Sequence, residues 1–364
     1  MRILIAPDSF KGTLTAPAAA AAIADGWRTR RPDDDLDLCP LSDGGDGLLE
    51  VVGATGGWSW QRATVEDPAR RLVTARWLRR GDAVVVETAE ACGLHLLAED
   101  ERTPTRWSTY GVGQLLQAAA TDGAGEVYLG LGGSGTSDGG IGLLAALGAD
   151  LRDGDGRPVG ADGARDLARV ATARPATSAR WRALDLVVVS DVTTPLLDAA
   201  RVFGPQKGAT ATDVVSLTAG LRRLADAVET GFDLPGLRER PGTGAAGGLG
   251  FALAALGARI VDGARHVADL VGLRERLAAA DLVIVGEGRL DATSLQGKVV
   301  GATVAMAEEL GVPLAAVVGR ADLRPAGFAA LEEASPGGPG TDPAADLRSA
   351  AARLAECASR PRKA

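Results

Sequence analysis

Long apolar runs are missing from this sequence: its 364 residues contain no uninterrupted apolar window of about 18, the minimum for a membrane-spanning helix. Cysteine is scarce as well. Cys39, Cys92 and Cys357 are scattered without metal-ligand spacing, so a disulfide framework is not expected. Cys39 and Cys92 are expected to pack as small hydrophobes in a protein of the reducing cytoplasm. With a strand-like run starting at Ile3, no signal peptide is expected at this end of the sequence. Positive charge is in deficit, with a net charge of −8 and a pI near 5.0. That argues against nucleic acid or an anionic membrane as partner, yet leaves a locally basic cleft for a small anion open. Lysine is nearly absent: Lys11, Lys207, Lys298 and Lys363 are the only four among 39 basic residues. Three of them adjoin a glycine, in Phe10-Lys11-Gly12, Gln206-Lys207-Gly208 and Gly297-Lys298. A compact ammonium in such a setting suits a tight phosphate or carboxylate site, whereas a guanidinium is a broad fork.

What the chain has in abundance is glycine at the ends of apolar segments. Residues 126–147, EVYLGLGGSGTSDGGIGLLAAL, read as a strand, a glycine-rich turn and a helix starting near Gly140. Gly130, Gly132, Gly133 and Gly135 would shape an anion cradle, with Ser134, Thr136 and Ser137 as donors and the helix N-terminus behind them. Asp138 is the odd member. A carboxylate facing a phosphate requires a metal or a proton, so it points to catalysis or Mg²⁺. Gly130-x-Gly132-x-x-Gly135 and Gly242-x-Gly244-x-x-Gly247 satisfy the dinucleotide fingerprint formally. The first lacks the following buried strand with its acidic end, and the second follows Pro241 rather than a strand, so an NAD-dependent oxidoreductase is the weaker alternative. No Walker motif is present, because Ala292 and Val299 stand where glycine and a hydroxyl residue are required around Gly297-Lys298.

The same grammar recurs along the chain. A strand over 2–6 delivers Asp8, Ser9 and Lys11 onto a turn before a helix over 16–31, Asp8 as a metal ligand or base and Lys11 as an anion contact, or Asp8 and Ser9 as helix caps. A strand over 36–41 ends in Ser42-Asp43-Gly44-Gly45-Asp46-Gly47, whose acids would chelate a cation or cap the next helix. Residues 58–87 alternate with period two and predict an antiparallel meander, with Trp58, Trp60 and Trp77 as packing residues. A helix follows Ser108-Thr109, and 148–182 reads as a polar excursion. The strand over 184–189 feeds Asp191, at a site or an Asx turn. The small residues of 242–250 open a helix. The strand over 281–285 gives Glu287, Arg289 and Asp291, and another runs over 312–319.

Taken together, APDSFKGTL, SDGGDG, GGSGTSDGG, FGPQKGAT, GTGAAGGLG and VGEGRLD, in this order, resemble the bacterial type 1 glycerate kinase family. The resemblance implies two α/β domains with the active site in the cleft between them, and phosphorylation of D-glycerate by ATP and Mg²⁺ in glycerate metabolism, usually to 2-phosphoglycerate. One domain is expected to be a doubly wound, mostly parallel sheet from both chain ends, residues 1–58 plus 281–364, and the other an inserted mixed-sheet domain, 59–280. Carried over block by block, the catalytic candidates are Asp191, Asp8, Lys11, Asp43 and Arg289. The cofactor-binding candidates are Gly132, Gly133, Ser134, Thr136, Asp138, Lys207, Glu287 and Lys298, and the metal candidates are Asp8, Asp43, Asp191 and Asp291. Asp191 is the expected base, and Arg289 and Lys11 would receive the glycerate carboxylate. His95 and His266 lie outside every block, so no histidine base is expected. Two departures stand out: Ser137 where the family commonly has Asn, and Asp46 where Glu is usual. A kinase of another small hydroxy acid and a non-catalytic nucleotide sensor complete the alternatives.

Overall fold

The computed structural model describes residues 1–10, 12–177, 180–295, 298–334 and 342–357. The chain divides into two compact units: Met1–Asp43, Glu50–Gly57 and Asp262–Ala364 in the first, Gly44–Leu49 and Trp58–Val261 in the second. The first five strands are β1 Arg2–Pro7, β2 Asp35–Leu38, β3 Ser59–Glu66, β4 Leu72–Arg80 and β5 Ala83–Glu87. The next five are β6 Glu126–Gly130, β7 Asp150–Asp153, β8 Val170–Arg174, β9 Asp185–Val189 and β10 Arg259–Val261. The last three are β11 Leu282–Leu290, β12 Leu314–Ala321 and β13 Phe328–Glu333.

In the first unit the order β13-β12-β11-β1-β2 forms a wholly parallel sheet. Ile3 and Ile5 of β1 and Ile284 of β11 are fully buried against Ile23 and Trp27 of helix Ala16–Arg28 and Leu347 and Leu354 of helix Pro343–Cys357. Continuous apolar strands are what a parallel sheet covered by helices demands. Thr15 caps helix Ala16–Arg28 by accepting from the Ala18 amide at 3.3 Å, with Pro17 in the first turn. Helices Gly263–Leu270 and Leu273–Ala278 belong to this unit, where Arg276 pairs with Asp37 at 2.7 Å. β11 continues through Leu290, in register with β12 up to Ala321, so Glu287 and Arg289 sit on a strand rather than on the turn expected after residue 285. Glycine at 286 permits this, because a Cβ there would lie 2.7 Å from the Val317 carbonyl.

In the second unit the order β10-β9-β6-β5-β4-β3 is mixed: β10, β9, β6 and β5 run parallel, and the β3–β4–β5 meander is antiparallel. Trp77 packs inside as expected, while Trp60 is exposed beneath Arg76 at 5.0 Å and Trp58 lies beneath Arg80 at 4.3 Å. The polar excursion contains the antiparallel pair β7–β8, whose Leu151, Val170 and Ala173 join the hydrophobic core of this unit while Ala171 is exposed. Cys39 and Cys92 are both buried. Among the described residues no helix is long and apolar enough to cross a membrane.

Trp27 is the largest fully buried side chain of the first unit and donates to Asp34 at 3.0 Å. Trp27→Ala is expected to lower unfolding free energy by about 3–5 kcal/mol in urea titration, and Trp27→Phe, which removes the indole donor and some ring volume, by distinctly less.

Candidate active site

β6 is central in its sheet, and its carboxyl end opens into Leu131–Gly140. Gly133 has φ of +64°, and a Cβ on Gly132 would fall on the Asp46 amide and Gly45 backbone. The GGSG and SDGGDG turns are therefore pressed together backbone to backbone, which glycine alone permits. Glu87, at the end of β5, holds the second turn by accepting from the Gly47 amide at 3.0 Å and the Leu49 amide at 3.3 Å. The first turn is zipped to its neighbour by Leu94 N–H to the Gly133 carbonyl at 2.7 Å and Gly135 N–H to the Cys92 carbonyl at 2.8 Å. Gly133 is exposed and Gly132 half-buried, and among the described residues no acceptor takes their amides. Asp46 is exposed beside them.

The side chains behind this crest turn inward. Ser134, Thr136, Ser137 and Asp138 are buried. Asp138 accepts from the Thr109 amide and hydroxyl, both at 2.9 Å, and from the amides of Gly140 at 3.0 Å and Gly142 at 3.2 Å. Burial pushes its pKa up, and these donors pull against that shift. The expectation of a ligand-facing carboxylate at 138 is thus corrected: four internal donors already use its oxygens. Lys207 is also internal, donating to Ser134 Oγ at 2.9 Å and to the Thr136 carbonyl at 2.6 Å. Burial depresses its pKa to about 8, opposed by Cys92 and Asp138. Burial raises the Cys92 thiol to about 12, which keeps it protonated. Gly242–Gly250 closes the far side: Ala246, Gly247 and Gly248 take left-handed backbone, and the Gly247 carbonyl accepts from the Gly139 amide at 3.0 Å. Asp191 follows β9 and is exposed. An open groove of about 520 Å³ near β3 and β4, lined by Gln61, Trp77 and Gln117 among others, contains none of the predicted residues.

The first unit assembles a separate set. Asp8 follows β1, and its amide donates to the Gly286 carbonyl at 2.8 Å. Glu287 on β11 is half-buried, and its Oε1 is buried without a hydrogen-bond partner. Burial raises its pKa to about 7, with the charges of Asp8 and Asp291 adding and Ser294 and Lys298 opposing. Asp291 Oδ1 accepts from the Thr293 amide at 2.8 Å and hydroxyl at 2.7 Å, closing a local turn. Lys298 donates to Thr293 at 3.2 Å. Arg289 is exposed and engaged with Asp322, Nε to Oδ2 at 2.6 Å. Asp43 is half-buried in the same unit, and Lys11 lies outside the described residues.

Residues 3–359 match the family model of the glycerate kinase family. The chain belongs to the glycerate kinase family. Within it, a glycerate kinase from Halalkalibacterium halodurans is 39% identical over 328 residues, 87% of this chain and 85% of that protein. A glycerate 2-kinase from Escherichia coli is 36% identical over 325 residues, 88% and 85% of the two chains. The crystal structure of a chain assigned as glycerate kinase 2 from Salmonella typhimurium LT2 superposes with a TM-score of 0.85 at 34% identity, covering 98% of this chain and 97% of that one.

For this glycerate kinase family member, four of the six sequence blocks meet in the second unit: the SDGGDG glycines, GGSGTSDGG, the Lys207 turn and GTGAAGGLG. Sequence reasoning missed Glu87, Thr109 and the inward direction of Asp138. Glu87 does carry a signal, an acid at the end of an apolar strand; Thr109 was visible only as the start of a helix. Mg²⁺, which the family implies, takes one or two protein carboxylates and completes its shell with water and phosphate oxygens. Asp8 with the orphaned Glu287 oxygen fits that demand, although no group of three or more His, Cys, Asp or Glu among the described residues is arranged to hold a metal alone.

Glu287 gives a pH dependence with a definite sign. Its folded pKa, about 7, lies above the ordinary 4.5, so the folded chain holds the extra proton between them. Its stabilising contribution is full below pH 4.5 and is lost as pH rises through about 7. Glu287→Gln is expected to flatten that decline in chemical-denaturation midpoints measured across the range, without metal.

Proposed function

We propose that this protein transfers the γ-phosphoryl group of ATP to D-glycerate, with 2-phosphoglycerate as the favoured product and Mg²⁺ as the metal. The observation that supports the reading is the Gly132–Gly133 crest, whose amides no acceptor among the described residues takes, in a chain of this family. Phosphoryl transfer passes through a loose, charge-rich transition state, so catalysis is mainly positioning and electrostatic stabilisation. The crest amides hold a phosphate without a reorganisation cost, since their geometry is already set by the turn. Asp191 takes the proton of the attacking hydroxyl. Asp8 and Glu287 would hold Mg²⁺, which when bound neutralises phosphate charge. Lys298 contributes a further positive charge, and Arg289 reaches the glycerate carboxylate only by leaving Asp322. Of the two departures from the family pattern, Ser137 is buried, and Asp46 is exposed at the crest. Asp46 is therefore the position from which substrate preference would be tuned.

Coupled ADP release with D-glycerate, ATP and Mg²⁺ tests the reading, with the product assigned by phosphorus NMR. D-glycerate is expected to support turnover well above tartronate, and a preference for tartronate would move the assignment to another hydroxy acid. Asp191→Asn is expected to lower kcat on the order of 10²–10⁴-fold with folding intact, the usual worth of a general base. His95→Ala and His266→Ala are expected to retain turnover.

A further inference from the structure

Lys207 belongs to the few lysines of an arginine-rich chain, yet it does not reach solvent. It lies on a short turn, Pro205–Lys207, and only 4% of it is exposed. Its ammonium spends two donors on the turn behind the crest: Ser134 Oγ at 2.9 Å and the Thr136 carbonyl at 2.6 Å. Ser134 is itself 7% exposed and stands next to Gly133, the exposed residue of the crest. The other side of the turn is fixed by Asp138, so the turn is held between a buried cation and a buried anion. A buried charge persists only where such partners compensate its desolvation.

We propose that Lys207 is a positioning residue that acts through Ser134 and the Thr136 carbonyl to hold the Gly132–Gly133 crest, instead of contacting a phosphate. This rests on the reading of the crest as the phosphate cradle. It replaces the direct anion contact expected of Lys207 from sequence. An ammonium is needed because the two partners are acceptors on adjacent parts of one turn, and a single compact donor group bridges both. A guanidinium is broader and planar, which accounts for lysine here among so many arginines. When the Ser134 oxygen accepts from Lys207, the serine oxygen is held in place, and among the described residues its hydrogen has only a long contact of 3.5 Å to the Thr136 carbonyl, already engaged by the ammonium.

A double-mutant cycle with Lys207→Met and Ser134→Ala, read as kcat/KM with D-glycerate, ATP and Mg²⁺, tests this. Misplacing a binding group by about 1 Å costs on the order of 10²-fold, so Lys207→Met is expected to lose about that much. Ser134→Ala is expected to lose roughly tenfold, and the double variant no more than Lys207→Met alone, because both act on one element. In the wild type kcat/KM is expected to fall as pH rises through about 8, where burial places the ammonium's titration, and Lys207→Met is expected to lack that limb. Additive losses in the cycle, or Ser134→Ala with wild-type kcat/KM, would overturn the proposal. The serine variant removes a single oxygen, and its result decides even if Lys207→Met does not fold. A complex with a non-hydrolysable ATP analogue separates the two levels of inference. If a phosphate oxygen sits on the Gly132 or Gly133 amide while Lys207 and Ser134 are additive, the crest stands and the positioning role falls; if no phosphate oxygen reaches either amide, the crest reading itself falls.

Discussion

One buried carboxylate sets the shape of the candidate site. Asp138 gathers the Thr109 amide and hydroxyl and the amides of Gly140 and Gly142, and so joins the end of the glycine turn to the start of the helix at Tyr110. An ionised carboxylate is costly to bury, and it is stable only when its lone pairs are met by donors. Two of the donors belong to Thr109 and two are amides where the turn enters the helix, so the turn cannot shift without breaking hydrogen bonds on which the buried carboxylate depends. Gly247 and Gly248 follow from the same constraint. They bring a second backbone against residues 136–139 where no side chain fits.

The two ends of the turn thus divide their work. The interior of the loop, where hydroxyls, a lysine and an acid meet, is devoted to holding geometry, and the outer crest offers bare amides. Preorganised backbone donors are an economical means of stabilising charge in phosphoryl transfer, because they do not reorient during the reaction. In the first unit the chemistry is of the opposite kind. Glu287 keeps an oxygen buried without a donor, and the neighbouring acids Asp8 and Asp291 raise its proton affinity. Such an arrangement is unfavourable by itself and is relieved by a proton or a cation.

The sequence made the architecture legible because strand ends and glycine turns are local signals. The apolar runs at β1, β6, β9 and β12 were placed from pattern alone, as was the antiparallel meander, and the family blocks pointed to the glycine turns. Orientation was less accessible. Ser134, Thr136 and Asp138 are hydroxyls and an acid in a glycine-rich turn whether they face inward or outward, and long-range partners decide, Thr109 for Asp138 and Lys207 for Ser134. Lys207 likewise read as an anion contact, since nothing in its neighbours announces that Ser134 lies 73 positions away as its acceptor. The β7–β8 pair escaped notice for a similar reason: its polar and glycine residues outnumber the three apolar ones that bury. Arg289 was read as a contact for the glycerate carboxylate, and nothing near it in sequence announced Asp322, its partner at the end of another strand.

On the proposed function, the crest amides of Gly132 and Gly133, held from behind by an internal acid and an internal lysine, receive a phosphate of the substrate. A crystal structure with D-glycerate and a non-hydrolysable ATP analogue tests it most directly. A phosphate oxygen is expected within hydrogen-bond distance of the Gly132 or Gly133 amide, with Asp138 still bound to Thr109 and Lys207 still bound to Ser134. A ligand oxygen seated on the Lys207 ammonium, with the glycine amides facing water, would contradict it.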